Sequence, residues 1–202
     1  VEVAGTYTEK DGISLLGSDE YSFDSCSGWL LRANDCLSTK GFQHISIKID
    51  GERVDFYNTH LDAGKTKKDI RVRKEQLQNL EDYIQLNSSS YPLIITGDMN
   101  INLLDHSSRE IINGFINNLN LQMVDWSANT LNETEVLDYI FYRGSDMIEI
   151  FLVSGSVNQE LLGLSDHPPI GALFDIRKNN LNKLCKSFLI NKIALLSAVS
   201  NP

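Results

Sequence analysis

The sequence predicts a mixed α/β fold built from layers, and three observations lead to this prediction. Segments with strand-like patterns recur along the chain, two segments with helical spacing lie between them, and one pair of strands is joined by a tight turn. Alternating strands and helices favour a layered α/β fold, whereas the tight turn requires antiparallel pairing and argues against a purely parallel sheet. With 202 residues, 42% of them hydrophobic, the chain can bury one sizeable core as a single domain.

The first clear element is a hairpin. The chain up to about Gly41 is rich in loop-forming residues, with one short apolar run at residues 13–16. Polar and apolar side chains then alternate over residues 42–49, which predicts a half-buried strand. Asp50-Gly51 predicts a hairpin turn, and residues 53–59 predict the returning strand.

Helices and further strands follow the hairpin. Apolar residues at helical spacing predict a helix over residues 69–86, and the run Leu93-Ile94-Ile95 predicts a buried strand. Ser107-Ser108-Arg109-Glu110 has the pattern of a capping box, which predicts that a second helix begins there. Further strands are predicted at residues 136–142, 148–153 and 172–176.

The composition changes after residue 176. We therefore divide the chain into a main domain, residues 1–176, and a basic amphipathic tail, residues 177–202, in which lysines alternate with apolar side chains. Such a tail could form an amphipathic helix that lies on a membrane surface. More often, a tail of this kind packs on its own domain or forms a disordered extension.

The charge of the chain limits its partners. It has 27 acidic against 18 basic side chains, a net charge of −9 and a pI near 4.9. This argues against broad electrostatic affinity for nucleic acid, although a local basic patch remains compatible with it. No apolar run is long enough to span a bilayer. Residues 1–5 lack the features of a signal peptide, and the missing initiator Met leads us to expect a mature or truncated form.

The cysteines leave the cellular compartment open. Cys26 and Cys36 bracket a short segment and could form a disulfide bond if the protein is exported, or remain two reduced thiols in the cytoplasm. Cys185 is isolated in the tail, where we expect it to be a packing residue.

Two polar clusters follow predicted strands. His60 ends the second strand of the hairpin, where loops commonly build sites, although a surface histidine with ordinary partners is the alternative. Asp98 and Asn100 follow the apolar strand and Gly97. Because residues i and i+2 of an extended segment face the same way, both side chains can contact one water, metal or phosphate. The alternative is an ordinary Asp/Asn turn.

Two more clusters lie further along the chain. Asp138 begins a strand of β-branched and aromatic residues, where it could orient an imidazole or be only a turn residue. Asp166 and His167 are adjacent and precede a proline, which disfavours a helical conformation for the histidine. Together the clusters suit phosphodiester hydrolysis. This reaction needs a deprotonated water, for which Asp or His serves, and a hard cation such as Mg²⁺ to neutralise charge.

Four segments, in this order, resemble the endonuclease/exonuclease/phosphatase superfamily, over roughly residues 12–176. They are Asn58-Thr59-His60-Leu61, Gly97-Asp98-Met99-Asn100, Leu137-Asp138-Tyr139-Ile140-Phe141 and Ser165-Asp166-His167. Arg73 and Gln76 on the first helix, and Asp62-Ala63-Gly64 before it, are similar to the sphingomyelinase-like bacterial and fungal branch of this superfamily.

The resemblance implies a four-layer α/β/β/α sandwich of mixed, largely antiparallel sheets with the site at one end. It implies that His167 is the general base or polarises the phosphate, and that Asp138 orients His167. It further implies that Asp98 activates or positions the attacking water and that Asn100 lies beside it on the phosphate.

The resemblance also implies a phosphate contact and a metal site. His60 is expected to donate a hydrogen bond to the phosphate, and Asp166 is expected to help to hold Mg²⁺, or another divalent cation such as Mn²⁺. The expected substrate is a phosphoester: a lipid headgroup, a small phosphoester or a nucleic acid. The acidic pI favours the first two.

One departure from the family pattern affects this interpretation. Members of the superfamily carry an Asn after their first strand and a metal-binding Glu further on, and this sequence has no equivalent of either. We therefore expect an N-terminally truncated fold, from either a fragment or a decayed enzyme. The leading hypothesis is a metal-dependent phosphodiesterase or phosphatase. The alternatives are a non-catalytic binding module and an interaction module docked to membrane by its tail.

Overall fold

The computed structural model describes residues 12–27, 40–49, 51–125, 137–157 and 169–179, and the backbone of residues 189–197. Within these ranges, nine strands form two sheets, and two helices accompany them.

The larger sheet has six strands in the order β1-β2-β3-β4-β6-β5. Their bounds are Ile13–Ser22 for β1, Gly41–Ile49 for β2, Glu52–His60 for β3, Leu93–Asp98 for β4, Gln122–Met123 for β5 and Asp138–Arg143 for β6. Gly51 makes the β2–β3 turn at φ 92°, a conformation that glycine adopts without strain. Among the described strand pairs of this sheet, only β3–β4 is parallel, because a helix connects these two strands.

That helix, α1, spans Lys67–Ser88, and a second helix, α2, spans His106–Leu119. Thr66 begins α1 through a capping box: its side chain accepts from the Asp69 backbone N–H, and the Asp69 side chain accepts from the Thr66 backbone N–H. These bonds satisfy donors that the first helical turn leaves without partners.

The smaller sheet has three antiparallel strands in the order β7-β8-β9, which are Ile148–Val157, Ile170–Lys178 and Leu189–Ser197. The larger sheet lies between this sheet and the helices. Ile95 and Phe141 face one way and pack with the helices, whereas Ile94 and Ile140 face the other way and pack with the smaller sheet. This alternation follows from the period of two in a strand.

The predicted fold class is confirmed: the fold is α/β, with mixed and mostly antiparallel sheets. The described residues supply the layers helix, sheet and sheet, with no helix among them on the outer face of the smaller sheet. The predicted hairpin, both helices and the strands at β4, β6, β7 and β8 are confirmed, with bounds that differ by a few residues. None of the helices in the described part of the chain is long and apolar enough to cross a membrane.

The loop expected before Gly41 is wrong for residues 13–22, which form β1. Nine of its ten residues are exposed, so the strand lacks the regular apolar alternation of a half-buried element. Its conformation comes instead from antiparallel pairing with β2, from Ile13 opposite Ile49 to Ser22 opposite Gly41.

Two further expectations are corrected. The residue that caps α2 is Asp105, not a serine of the predicted box: its side chain accepts from the backbone N–H of Ser108, so the helix begins at His106. The amphipathic helix considered for the tail is wrong for residues 189–197, which form β9 and pair with β8. The boundary drawn after residue 176 lies within β8.

Candidate active site

The core of the candidate site is a row of three polar side chains across neighbouring strands. His60 is the register partner of Asp98 in the β3–β4 pair, and Asp98 is the partner of Asp138 in the β4–β6 pair. Neighbouring strands lie about 4.8 Å apart, so the row spans about 10 Å. The sheet therefore brings together three residues that the sequence predicted separately.

The row faces the smaller sheet. Asp98 lies four residues after Ile94 in β4, and Asp138 lies two residues before Ile140 in β6. Both isoleucines pack against the smaller sheet, and even spacing along a strand keeps side chains on one face. The row lies at the end of the larger sheet because His60 and Asp98 are the last residues of β3 and β4 and Asp138 is the first of β6.

His60 and Asp98 are in contact within the row. The His60 Nε2 and Asp98 Oδ2 atoms are 3.5 Å apart, and the side chains are 25% and 6% exposed, respectively. A protonated His60 would form an ion pair with this carboxylate. The half-buried imidazole remains accessible from solvent, whereas Asp98 is nearly enclosed.

Asn100 supports the Asp98 carboxylate and ties two strand ends together. Its backbone N–H donates to Asp98 Oδ1 at 2.8 Å, and its Nδ2 donates to the Leu61 carbonyl at 2.9 Å. Its φ of 50° lies in the left-handed region, where asparagine is tolerated. One amide N–H of Asn100 therefore bonds to the chain just after His60 and is committed to the backbone.

Gly97 lets β3 and β4 come close beside the row. It has a φ of 141°, and a Cβ built at this position would collide with the backbone of Thr59. A side chain here would separate the strands that carry His60 and Asp98. The close approach of the two strands therefore explains why a glycine precedes Asp98.

Asp138 lies deepest in the row and is only 2% exposed. The Met99 N–H donates to the Leu137 carbonyl at 2.9 Å, so the backbone pairing of β4 with β6 continues for one residue beyond Asp98. A buried carboxylate at this position fits a residue that orients a partner. The predicted partner, His167, and the predicted metal ligand, Asp166, lie outside the described residues.

A second polar row, which sequence reasoning missed, lies two residues further into the sheet on the same face. Register aligns Glu20, Gln43, Asn58 and Thr96 across β1 to β4. Thr96 Oγ1 donates to Asn58 Oδ1 at 3.1 Å, and Gln43 Nε2 donates to Glu20 Oε1 at 3.2 Å. The sequence carried one signal for this row: Asn58 and Thr96 each lie two residues before a predicted site residue, His60 and Asp98, and so face the same way.

The described residues contain no group of three or more His, Cys, Asp or Glu side chains arranged to hold a metal. The donors they do offer at the row, the carboxylates of Asp98 and Asp138, are hard oxygen ligands of the kind that Mg²⁺ prefers. Their donor chemistry is therefore compatible with a magnesium ion near the row.

A buried acid with a large pKa shift, Asp55, lies toward the opposite end of β3. Burial alone would raise the pKa of Asp55, but hydrogen bonds from neighbouring side chains outweigh burial and lower the pKa to about 2. Ser46, Arg53 and Ser88 donate to its two oxygens at 2.5–2.9 Å. These contacts hold the sheet and α1 together, away from the candidate site.

Comparisons with known proteins show the family to which the chain belongs. Residues 6–137 match the model of endonuclease/exonuclease/phosphatase family 2, and the chain belongs to that family. A sphingomyelinase from Mycobacterium tuberculosis (strain ATCC 25618 / H37Rv) is 28% identical over 178 residues, which cover 79% of this chain and 36% of that protein. The chain thus spans just over a third of the length of the curated relatives it matches.

Solved structures share the fold. Sphingomyelinase C from Streptomyces griseocarneus has a TM-score of 0.56 at 17% identity, covering 82% of this chain and 65% of its own. A mutant of β toxin from Staphylococcus aureus with bound magnesium ions has a TM-score of 0.53 at 21% identity, covering 71% of this chain and 54% of its own. At these identities the neighbours show a shared fold.

Proposed function

We propose that the protein is a magnesium-dependent phosphodiesterase of the sphingomyelinase type. The observation that carries the proposal is the row His60–Asp98–Asp138, which lies on one face at the end of three adjacent strands. Hydrolysis of a phosphodiester requires a group that accepts a proton from water, a hydrogen-bond donor to the phosphate oxygens, and neutralisation of the phosphate charge. In the row, the Asp98 carboxylate and the His60 imidazole lie 3.5 Å apart.

Each residue has a distinct proposed role. Asp98, whose Oδ1 already accepts from the Asn100 N–H, accepts a hydrogen bond from the attacking water and orients it toward phosphorus. His60, which is accessible from solvent, donates to a non-bridging phosphate oxygen. Asp138 orients His167, which serves as the general base.

The proposed metal ligand is Asp166. When bound there, Mg²⁺ would neutralise the charge of the phosphate oxygens and stabilise the leaving oxygen. The chain's own residues supply the orientation of the water, the phosphate contact and the movement of the proton.

The proposed substrate is a phospholipid with a phosphodiester headgroup, such as sphingomyelin. The curated relatives are sphingomyelinases, and the net charge of −9 disfavours a polyanion such as DNA. Cys26 is disulfide-bonded, which supports an oxidising compartment outside the cytoplasm. Its predicted partner, Cys36, lies outside the described residues.

The test is a parallel assay of the purified chain on sphingomyelin vesicles, plasmid DNA and inositol phosphates with Mg²⁺. We expect sphingomyelin to be hydrolysed fastest, with kcat falling about 10²–10⁴-fold in His60→Ala and Asp98→Asn because each removes a group that acts in the transition state. His106→Ala is the matched control, since His106 is exposed on α2 and its ion-pair partner in the described part of the chain is Glu110.

Two outcomes would contradict the proposal. One is turnover by His60→Ala and Asp98→Asn equal to that of the unaltered chain. The other is no binding of Mg²⁺ at millimolar concentration in calorimetry together with no turnover of any substrate, which would favour a non-catalytic binding module.

A further inference from the structure

The loop that follows His60 is held by a buried polar network. Its centre is Asp62, which is fully buried. The Asp62 carboxylate accepts from the Ser27 backbone N–H at 2.5 Å and from Gln76 Nε2 at 2.9 Å, and its own N–H donates to Gln76 Oε1 at 2.9 Å. The sequence predicted none of this beyond the resemblance of these segments to a sphingomyelinase-like branch.

Gln76 is the residue through which the network is connected. Its side chain is fully buried in the first half of α1. Besides its two bonds to Asp62, its Nε2 donates to the Ser25 carbonyl at 2.9 Å. Three residues earlier, on the same face of α1, Arg73 Nη1 donates to the carbonyls of Asp62 and Gly64 at 3.0 and 2.8 Å.

The other side of the network is a disulfide-bonded segment. Cys26, which is disulfide-bonded, lies between Ser25 and Ser27, and both serines contact the network. Ser27 also donates from Oγ to Asp69 Oδ1 at 2.5 Å. Residues 25–27 are thus held against α1 and the loop by bonds on both sides of the cysteine.

The network reaches the candidate site through one residue. Leu61, between His60 and Asp62, donates from its N–H to the Asp98 carbonyl at 2.9 Å. Its own carbonyl accepts from Asn100 Nδ2 at 2.9 Å. The backbone on both sides of the His60–Asp98 contact is therefore fixed by hydrogen bonds, and the next residue along is held by Gln76.

We propose that Gln76 is a positioning residue: it holds the main chain after His60 against the disulfide-bonded segment and so keeps the imidazole in contact with the Asp98 carboxylate. Its catalytic consequence rests on the proposed function, whereas its effect on the geometry of His60 does not. An apolar side chain at this position would leave the Asp62 N–H, the Asp62 carboxylate and the Ser25 carbonyl buried without this partner, so the loop would move to hydrate them.

The test measures His60 directly. Gln76→Leu, of similar volume, is compared with Gln78→Leu. Gln78 is a matched control because it is exposed on the same helix and its side chain donates to the exposed neighbour Asp82. We expect the imidazole NMR signals of His60 and their titration midpoint to change in Gln76→Leu, while those of His44 and His106 stay unchanged. Sphingomyelin turnover should lose about 10²-fold in kcat with little change in KM, since a small misplacement of a reacting group has an effect of this size.

Two further variants keep the test decisive. Gln76→Asn retains the amide on a shorter side chain and replaces Gln76→Leu in the test if the leucine variant does not fold. We expect its His60 NMR signals to change less than those of Gln76→Leu. The double variant Asp62→Asn/Gln76→Glu exchanges donor and acceptor across the pair, and we expect it to recover part of the wild-type His60 signals that Gln76→Glu alone loses.

A lower melting temperature with unchanged His60 signals and titration would show that Gln76 only stabilises the fold, and would overturn the proposal. An inactive wild-type chain would count against the proposed function alone, because the NMR comparison would still decide whether Gln76 positions His60.

Discussion

Asp55 shows how a single buried carboxylate can be kept charged. It has no exposed surface, and hydrogen bonds from Ser46, Arg53 and Ser88 take the place of water around its carboxylate. Arg53 in turn lies over the ring of Tyr91, 4.1 Å from its centroid. Burying a charge is costly unless hydrogen bonds replace water, and this site meets that condition fully.

We therefore predict a loss of stability in acid. The pKa of Asp55 falls from its usual 3.8 to about 2 on folding, so its contribution is complete above pH 4 and is lost as the pH falls from about 4 to about 2. This amounts to about 2 kcal/mol of unfolding free energy. Urea denaturation at pH 5 and pH 2 measures it, and Asp55→Asn should show a shallower dependence on pH. Equal dependences in the two proteins would contradict the assignment.

At the scale of secondary structure, the junction of β3 and β4 depends on glycine. The φ of 141° and the close backbone of Thr59 exclude a side chain at Gly97. We predict that Gly97→Ala lowers the unfolding free energy by about 2–3 kcal/mol and disturbs the His60–Asp98 contact. Chemical denaturation followed by circular dichroism measures this change.

Gly114 provides the matched control. It lies within α2, and a Cβ built there has no neighbour within 4 Å outside the helix backbone, so an alanine fits and favours the helix. We expect Gly114→Ala to raise the unfolding free energy by about 0.5–1 kcal/mol. A similar loss of stability in both variants would show that strain at Gly97 is not the cause.

Elements with a local signal could be predicted from the sequence. The β2–β3 hairpin depends on Asp50-Gly51 and on alternation within nine-residue strands, and α1 depends on its apolar spacing. By contrast, β1 and β9 are strands because they pair with β2 and β8, and such pairing leaves little trace within the segment itself. The cap of α2 was misplaced because Asp105 and Ser107 are both good capping residues, and only the geometry distinguishes them.

The site could be predicted in part for the same reason. His60, Asp98 and Asp138 were found because each ends or begins a recognisable strand. Their alignment into one row depends on register, and the network of Asp62 and Gln76 depends on how a loop packs against a helix. The resemblance to a family supplied the order of the segments, but the hydrogen bonds between them are visible only in three dimensions.

At the scale of the whole molecule, the larger sheet ends in a strand that is exposed on both faces. β1 pairs only with β2 among the described residues, and Leu15 and Leu16 are 59% and 51% exposed. An open edge with apolar side chains is a template for pairing with another chain. We predict concentration-dependent self-association that Leu15→Lys reduces, as measured by light scattering. Ser18→Lys, on the same strand, is the control for added charge, and an equal reduction in both variants would contradict a role for the apolar side chain.

The row at the end of the larger sheet also has a consequence for how the protein matures. Successive members of the row are about forty residues apart along the chain. They become neighbours only after β3, β4 and β6 have paired in the sheet. Under the proposed function, a nascent or partly unfolded molecule would therefore show no turnover until these three strands have paired. Recovery of turnover during refolding would then serve as a clock for assembly of β3, β4 and β6.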